Sequence, residues 1–339
     1  MNLNDDPSAT HAHFSQKIIA SYDQSGTETL SELAVALLAE QKTAWPKLAE
    51  GYAALDGVQV RELHCHGYSV RLQWNPGRIV SSGARVDEES IRCRKCFLCL
   101  ENLPVAQEGI LWHEEFLVLC NPAPIFQQHY TISHVRHQPQ RIEGHVDTLL
   151  KLARDFAPRF TVFYNGPKCG ASAPDHLHFQ ACPAGAIPIE MEAANERRRE
   201  PVRKLGGVSL LTLRELGRAA MVLEGTSQEA LHEAVQRCLA TMKKVLLSLD
   251  EEPMINILCS YGIDAWRMIL FPRKKHRPDI YFLEEEKRVL ISPASVDMGG
   301  LIITPRQQDF ENLDAGTIER IFDEVAIDHR DVEEIVALM

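Results

Sequence analysis

Apolar positions change their period partway along the chain. Through the first sixty residues they recur every three or four positions: Leu30, Leu33 and Leu37 fall on one helical face, Thr29 and Glu32 form a capping box, and Pro46 ends or kinks the run. From about residue 70, short apolar runs alternate with Pro and Gly. "FLVLC" (116–120) and "HYTIS" (129–133) read as strands flanking the loop "NPAPIFQQ". "RIEGHVDTLLKLARDF" (141–156) reads as a helix and "RFTVFYN" (159–165) as a strand. "DHLHFQACP" (175–183) is a further strand after a Gly-containing loop.

That order of helix, strand, loop and strand occurs again. "TSQEALHEAVQRCLATMKKVLLSL" (226–249) has a capping box at Thr226 and Glu229 and a helical stripe through Leu231, Val235, Leu239, Met242 and Leu246. "PMINILCSY" (253–261) and "AWRMILFPR" (265–273) follow as strands around a tight turn. The pattern predicts an α+β fold of two related halves, each an antiparallel sheet with packed helices, preceded by N-terminal helices. It divides the chain into a helical segment at 1–65, a first half at 66–205, a second at 206–315 and a helical tail at 316–339, with Gly206 and Gly207 in a linker.

In the strand at 175–183, side chains alternate between faces, so His176, His178 and Gln180 form one row while Leu177, Phe179 and Ala181 face the core. A lone His-x-His is more often the wet face of a half-buried strand. The second copy carries Trp266, Met268 and Leu270 where the first has His176, His178 and Gln180, so the second half is degenerate and the polar row survives only in the first.

Composition narrows the setting. With 339 residues, 45% hydrophobic and 24% charged, the chain is expected to be soluble and globular. The start "MNLNDDPSATHAHF" has no basic segment leading into an apolar stretch, and no run approaches the roughly 18 apolar residues of a membrane span. A cytoplasmic protein is expected. Nine cysteines, unevenly spaced, suggest thiols or a metal site rather than a disulfide framework. The net charge of -11 opposes a nucleic-acid binder, so an anionic substrate has to meet local cations. These lie in "NPGRIVSSGAR" (Arg78, Arg85), "IRCRK" (Arg92, Arg94, Lys95, read as solvated surface) and "FPRKKHRP" (Arg273, Lys274, Lys275, Arg277).

Just before the His strand, "NGPKCGAS" (165–172) offers Gly166, Gly170, Lys168, Ser172 and Asn165. Such a loop can turn backbone N–H groups toward an anion. A neutral imidazole is a nucleophile toward phosphorus, and His178 is central in its row. Gln180 can donate to a phosphate oxygen but cannot shuttle a proton at neutral pH, which favours transfer over hydrolysis. "CRKCFLC" places Cys96 and Cys99 at a zinc-chelating spacing, with Cys93 spare. His137 and His176 are the candidates to complete four ligands, and ordinary thiols are the alternative.

Together, "FYNGPKCGASAPDHLHFQ", "NPAPIFQQHYTISHVRHQPQRI", "WNPGRIVSSGAR", "WRMILFPR" and "LISPASVDMGGLIITPRQQDF" resemble the nucleotidyltransferase branch of the histidine-triad superfamily. That branch includes galactose-1-phosphate uridylyltransferase, diadenosine tetraphosphate phosphorylase and the GDP-L-galactose and GDP-D-glucose phosphorylases. The resemblance covers roughly residues 70 to 313, in patches. It implies two histidine-triad-like halves and His178 as nucleophile, with Gln180 and Ser172 on the phosphate and Asn165 in the nucleotide pocket. It also implies a structural zinc on Cys96, Cys99, His137 and His176, seen in some members. Leu177 stands where the uridylyltransferases have proline, which speaks against galactose-1-phosphate exchange.

The expected activity is phosphorolysis of a nucleoside diphosphate sugar through a nucleotidyl-histidine intermediate. His178, His176 and Gln180 would be catalytic, and Asn165, Lys168, Gly170, Ser172, Arg78, Arg85, Arg273 and Lys274 would bind substrate. Expected partners are a nucleotide and phosphate or sugar phosphate, with no nucleic acid or membrane and with a homodimer left open. The alternatives are a dinucleoside polyphosphate phosphorylase and a non-catalytic nucleotide-binding or zinc-stabilised scaffold.

Overall fold

The computed structural model describes residues 16–247 and 251–339; the start "MNLNDDPSATHAHF" and the last two residues of the helical stretch expected at 226–249 lie outside the described residues. The architecture is α+β and is built on one sheet of eleven strands. They are β1 (Ile18–Tyr22), β4 (Gly109–Trp112), β5 (Phe116–Cys120), β6 (Tyr130–His134), β7 (Phe160–Asn165), β8 (His178–Pro183), β9 (Arg199–Leu205), β10 (Val208–Leu213), β11 (Met221–Gly225), β12 (Ile255–Gly262) and β13 (Ala265–Pro272). A second sheet combines β2 (Gln59–His64), β3 (Ser69–Trp74) and β14 (Leu301–Thr304).

The order of the large sheet, β1-β4-β5-β6-β8-β7-β12-β13-β11-β10-β9, shows the repeat. Reading outward from the β7–β12 join, β7-β8-β6-β5-β4 on one side is matched by β12-β13-β11-β10-β9 on the other, with β1 added in parallel at the edge. Each half also has one helix between its third and fourth strands, α3 (Val146–Asp155) and α4 (Gln228–Val245). These are preceded in the chain by α1 (Leu30–Ala44) and α2 (Pro46–Ala53) and followed by α5 (Ala315–Val325) and α6 (His329–Leu338).

The capping box at Thr29 and Glu32 forms as the sequence predicts, but α4 starts one residue later than expected, with Ser227 as its N-cap accepting from the Ala230 N–H. The N-terminal segment is not purely helical, since it supplies β1 and β2. Gly206 and Gly207 are not a linker. They form the tight turn between β9 and β10 at positive φ, where a side chain is strained, and the second half begins at β9.

Two apolar layers cover the sheet. Helices α1, α3, α4 and α6 bury one face; the small sheet, α5 and short helices cover the other. The C-terminal helices are therefore core elements, one on each face. Leu177, Phe179 and Ala181 belong to the first layer, which places His178 and Gln180 on the opposite face. Full burial of a Leu or Phe is worth about 1.5–3 kcal/mol, so a one-residue slip that exposed these side chains and buried the polar row would cost several kcal/mol.

The same layers correct the expected match between halves. Trp266, Met268 and Leu270 lie in the helix-side layer with Leu177 and Phe179, and Trp266 donates to the Leu150 carbonyl of α3 (2.9 Å). The ladders pair Phe160 with Pro183 and Ile255 with Pro272, so the true counterparts of His178 and Gln180 are Arg267 and Ile269. The expected alignment was one residue out of register, which exchanges the two faces of a strand.

Candidate functional site

His178 opens β8 and is 5% exposed. Its ring Nδ1 lies 2.8 Å from the main-chain carbonyl of His176, which can only accept, so the proton sits on Nδ1 and the lone pair on Nε2. Burial pushes the imidazole down to about 4, leaving it neutral at pH 7. The main chain of His178 is held by Gln140, which sequence reasoning missed. Gln140 Oε1 accepts from the His178 N–H (2.8 Å), while its Nε2 donates to the carbonyls of His178 (3.0 Å) and Asn165 (2.9 Å). The β7–β8 ladder ends at Phe163 and Gln180, so this buried amide staples the two strands where they part around the 166–177 loop.

Gln180 is oriented by a second missed residue, His129. His129 Nδ1 accepts from the Ile125 N–H (3.1 Å), so its proton is on Nε2 and is donated to Gln180 Oε1 (2.9 Å). Burial, followed by the charge of Arg78, pushes His129 down to about 3 and keeps it neutral. The Gln180 NH2 is left for the cleft. The sequence signal was available at the mouth of "QQHYTIS", but pairing His129 with a residue 51 positions away requires the β6–β8 register.

The cleft is partly open to solvent and narrow, with a cavity of about 50 Å³. Three stretches line it: Arg78 to Val86 after β3; Phe163, Asn165, Gly170 to Ser172 and Gln180 from the β7–β8 unit; and His276 to Asp297 from the second half. Gly170 has φ +90° and a Cβ there would lie 2.5 Å from the Ala294 Cβ, so glycine is required for the loop to approach the second half. The lining reaches Gln180 and Ser172 and stops short of His178, two residues along the same strand face.

Cations surround the cleft. Arg78 donates to the Ala123 carbonyl (2.7 Å); burial lowers it to about 10, and it stays charged. Arg277 is braced by Ser292 Oγ (2.9 Å) and the Ala84 carbonyl (2.8 Å) and packs over Tyr281. Burial, followed by Arg277 and Arg273, pushes His276 down to about 4. The Asp297 carboxylate accepts from the N–H groups of Ala294 (2.9 Å) and Ile303 (3.0 Å), which ties the 294–303 segment together. Burial raises its carboxyl to about 6.

Four of the expected substrate-binding cations lie elsewhere. Lys168 does not line the cleft and pairs with Glu251 (2.5 Å), and Lys274 pairs with Asp328 (2.8 Å) at the surface. Arg85 is exposed beside Asp87 (3.8 Å), flanked by the lining residues Ala84 and Val86. Arg273 is buried with every N–H committed: Nε to Val325, Nη1 to Asn256 and Pro293, and Nη2 to the carbonyls of Lys275 and His276. It has no donor left for a phosphate. In their place the fold offers Arg277, with His276 beside it.

Cys96, Cys99, His137 and His176 converge, with one donor atom from each lying within 4.8 Å of all the others. His176 Nε2 donates to the His134 carbonyl (2.7 Å), so Nδ1 turns its lone pair toward Cys96 Sγ (3.3 Å) and Cys99 Sγ (3.6 Å). His137 Nδ1 is 3.2 Å from Cys99 Sγ, and its Nε2 is 4.0 Å from Asp175, a carboxylate placed as outer-shell partners of zinc-bound histidines are. Desolvation and then the Cys96 sulfur push the Cys99 thiol up to about 12, the penalty that a divalent cation between two thiolates removes. The donor set suits tetrahedral zinc.

Comparisons with known proteins bear on the fold that carries this site. Residues 37–183 match a family described as a domain of unknown function, DUF4922, and residues 192–339 match the GDPGP1-like, C-terminal domain. A search of curated proteins gives no match. Among solved structures, yeast Ap4A phosphorylase Apa2 is similar at 16% identity and TM-score 0.51, covering 83% of this chain and 94% of that one. Its complex with AMP gives 18% and 0.50, covering 84% and 94%; its complex with Ap4A gives 16% and 0.52, covering 84% and 97%. At such identity the likeness establishes the shared two-half fold. Among the described residues no helix is long and apolar enough to cross a membrane.

Protein prepared without added metal is expected to carry about one zinc per chain, a stoichiometry set by four protein ligands. Elemental analysis checks this, and a chelator should lower Tm by several degrees. A metal-free preparation with unchanged Tm would reduce the cluster to thiols.

Proposed function

We propose that this chain, a member of the nucleotidyltransferase branch of the histidine-triad superfamily, transfers a nucleotidyl group from a nucleoside diphosphate sugar to phosphate by way of nucleotidyl-His178. The observation that carries the reading is the tautomer of His178, with its proton held by the His176 carbonyl and its Nε2 lone pair free, two residues from an amide that His129 turns toward the cleft.

In the first step Nε2 bonds to the α-phosphorus as the bond from that phosphorus to the bridging oxygen breaks. The electron pair leaves on that oxygen with sugar 1-phosphate. Nδ1 keeps its proton, so the intermediate is an imidazolium and no proton moves. In the second step an oxygen of phosphate dianion bonds to the α-phosphorus, the P–N bond breaks and the pair returns to Nε2. The product is a nucleoside diphosphate. Gln180 donates to a phosphate oxygen, Arg78 and Arg277 balance charge, and Ser172 and the 170–172 N–H groups hold the nucleotide side. His276 and Arg277, from the second half, are the groups available to the leaving or entering phosphate. A zinc on Cys96, Cys99, His137 and His176 would be structural and would fix the residue whose carbonyl sets the His178 tautomer.

A nucleotide sugar as substrate is taken from the resemblance of "WRMILFPR" and "LISPASVDMGGLIITPRQQDF" to the GDP-hexose phosphorylases, in the half that matches the GDPGP1-like, C-terminal domain. A second reading, phosphorolysis of a dinucleoside polyphosphate, draws on the likeness to yeast Ap4A phosphorylase, whose structures include complexes with AMP and Ap4A. Incubation with a panel of nucleotide sugars and dinucleoside polyphosphates, each with phosphate, separates the two by product. No turnover of either class would leave a non-catalytic nucleotide binder.

His178→Ala is expected to abolish turnover and the covalent adduct while preserving Tm and much of the nucleotide affinity, because binding rests on the loop and the arginines. Near-normal turnover would sink the mechanism. Gln180→Glu keeps the bond from His129 but turns an anionic oxygen toward the α-phosphate. Loss of one such donor typically costs about 10²–10³ in kcat. Steady-state kinetics beside a melting curve would show it, and an unchanged kcat would remove Gln180 from the reaction.

A further inference from the structure

The second half contributes more than a wall to the cleft. Asn256, on β12, faces Asn165 of β7 across the central join, and both are buried. A guanidinium can only donate, so the Nη1 of Arg273, 2.7 Å from Asn256, identifies the atom it meets as Oδ1. The Asn256 Nδ2 must therefore donate. It does so to Asn165 Oδ1 (2.9 Å) and to the Cys169 carbonyl (2.8 Å), which uses both of its protons.

The main-chain N–H of Ser295 also donates to Asn165 Oδ1 (2.8 Å). The Ser295 hydroxyl, 2.7 Å from that oxygen and 2.8 Å from the Tyr164 carbonyl, has one proton for the two. With at least two obligate donors on Oδ1, the Asn165 amide has a single allowed orientation. Its Nδ2 has no acceptor among the described residues, and Asn165 lines the cleft. An amide NH2 kept from protein partners at a mostly buried position is unfavourable unless something else accepts from it.

We propose that Asn256 is a positioning residue for nucleotidyl transfer: locked by Arg273, it fixes the Asn165 amide so that its NH2 meets a substrate oxygen as a preoriented donor. The inference rests on the reaction proposed above. It assigns to the degenerate half a direct part in orienting a donor of the catalytic half, along a relay from Arg273 through Asn256 to Asn165.

The test is N256D. A carboxylate there keeps the bond to Arg273, but it sets an oxygen against both Asn165 Oδ1 and the Cys169 carbonyl and forces the Asn165 amide either to flip or to lose its register. Full-length wild type and variant are mixed, without phosphate, with whichever of GDP-D-glucose and Ap4A the product panel turns over, and formation of the His178 adduct is timed in a single turnover. Wild type should form the adduct; if it does not, the reaction itself is wrong. Given a wild-type adduct, N256D should form it about 100-fold more slowly, as for loss of one preoriented donor, with a lowered Tm from the unpaired Cys169 carbonyl and a much smaller change in substrate Kd than in rate. N256A should be milder, because the Ser295 N–H still holds Oδ1, and it decides the matter if N256D fails to fold. A folded N256D that forms the adduct within twofold of the wild-type rate overturns the proposal. So does an N256A with full speed when N256D does not fold.

Discussion

A single guanidinium joins the parts that make the cleft. Arg273 leaves the end of β13 fully buried and gives its five N–H groups to Asn256, Pro293, Lys275, His276 and Val325. Those acceptors belong to β12 at the join between the halves, two loops of the cleft and the end of α5. Burial lowers the arginine's affinity for its proton, but with no carboxylate bonded to it, the charge is met by four carbonyls and an amide oxygen. An unpaired buried acceptor costs roughly 1–3 kcal/mol, so removing this side chain would release several such costs together. A lysine, with three donors and no planar fork, could not serve the same five positions.

The two halves share an architecture but differ face by face. Where the first pairs Ser133 with His178, the second pairs Glu224 with Arg267 in an ion pair at 2.6 Å; where the first has Gln180, the second has Ile269. On that face Ile269, Phe271 and Leu258 pack with Phe322 and Ile321 of α5. The second half has exchanged a reactive surface for a packed one, and the packing holds the 276–297 segment against the first half. One cleft results from two copies because the second supplies its far side.

Much of this was legible in the sequence, and the limits have physical causes. Alternation along β8 gave the shared face of His178 and Gln180, since a strand's period is a local property, but β8 begins at His178 and His176 lies in the bend before it. The C-x-x-C was legible as a candidate metal site with ordinary thiols as the alternative, and only the fold brings His137 and His176 to it. The one-residue error in β13 arose because "AWRMILFPR" alternates in both registers with apolar residues on each face, and only the layers of the fold distinguish them. Arg273 and Lys168 were misplaced because a cation in a sequence does not show how many of its donors the fold has already taken. Gln140 and His129 were missed for a related reason: an uncharged side chain that orients another shows its role only through its bonds.

Those bonds share a logic. The orientation of His178 is set by a main-chain carbonyl and by Gln140, that of Gln180 by the Ile125 N–H acting through His129, and that of Asn165 by the Ser295 N–H and the Arg273 relay. In each case the last fixed point is a group that can only donate or only accept, so neither a ring tautomer nor an amide flip is left free. A site organised in this way presents directed N–H groups and one free lone pair, and it has already settled where its protons lie. That suits a reaction in which phosphorus changes partners while every proton stays in place, and it suits water poorly as an acceptor, because water must lose a proton to attack.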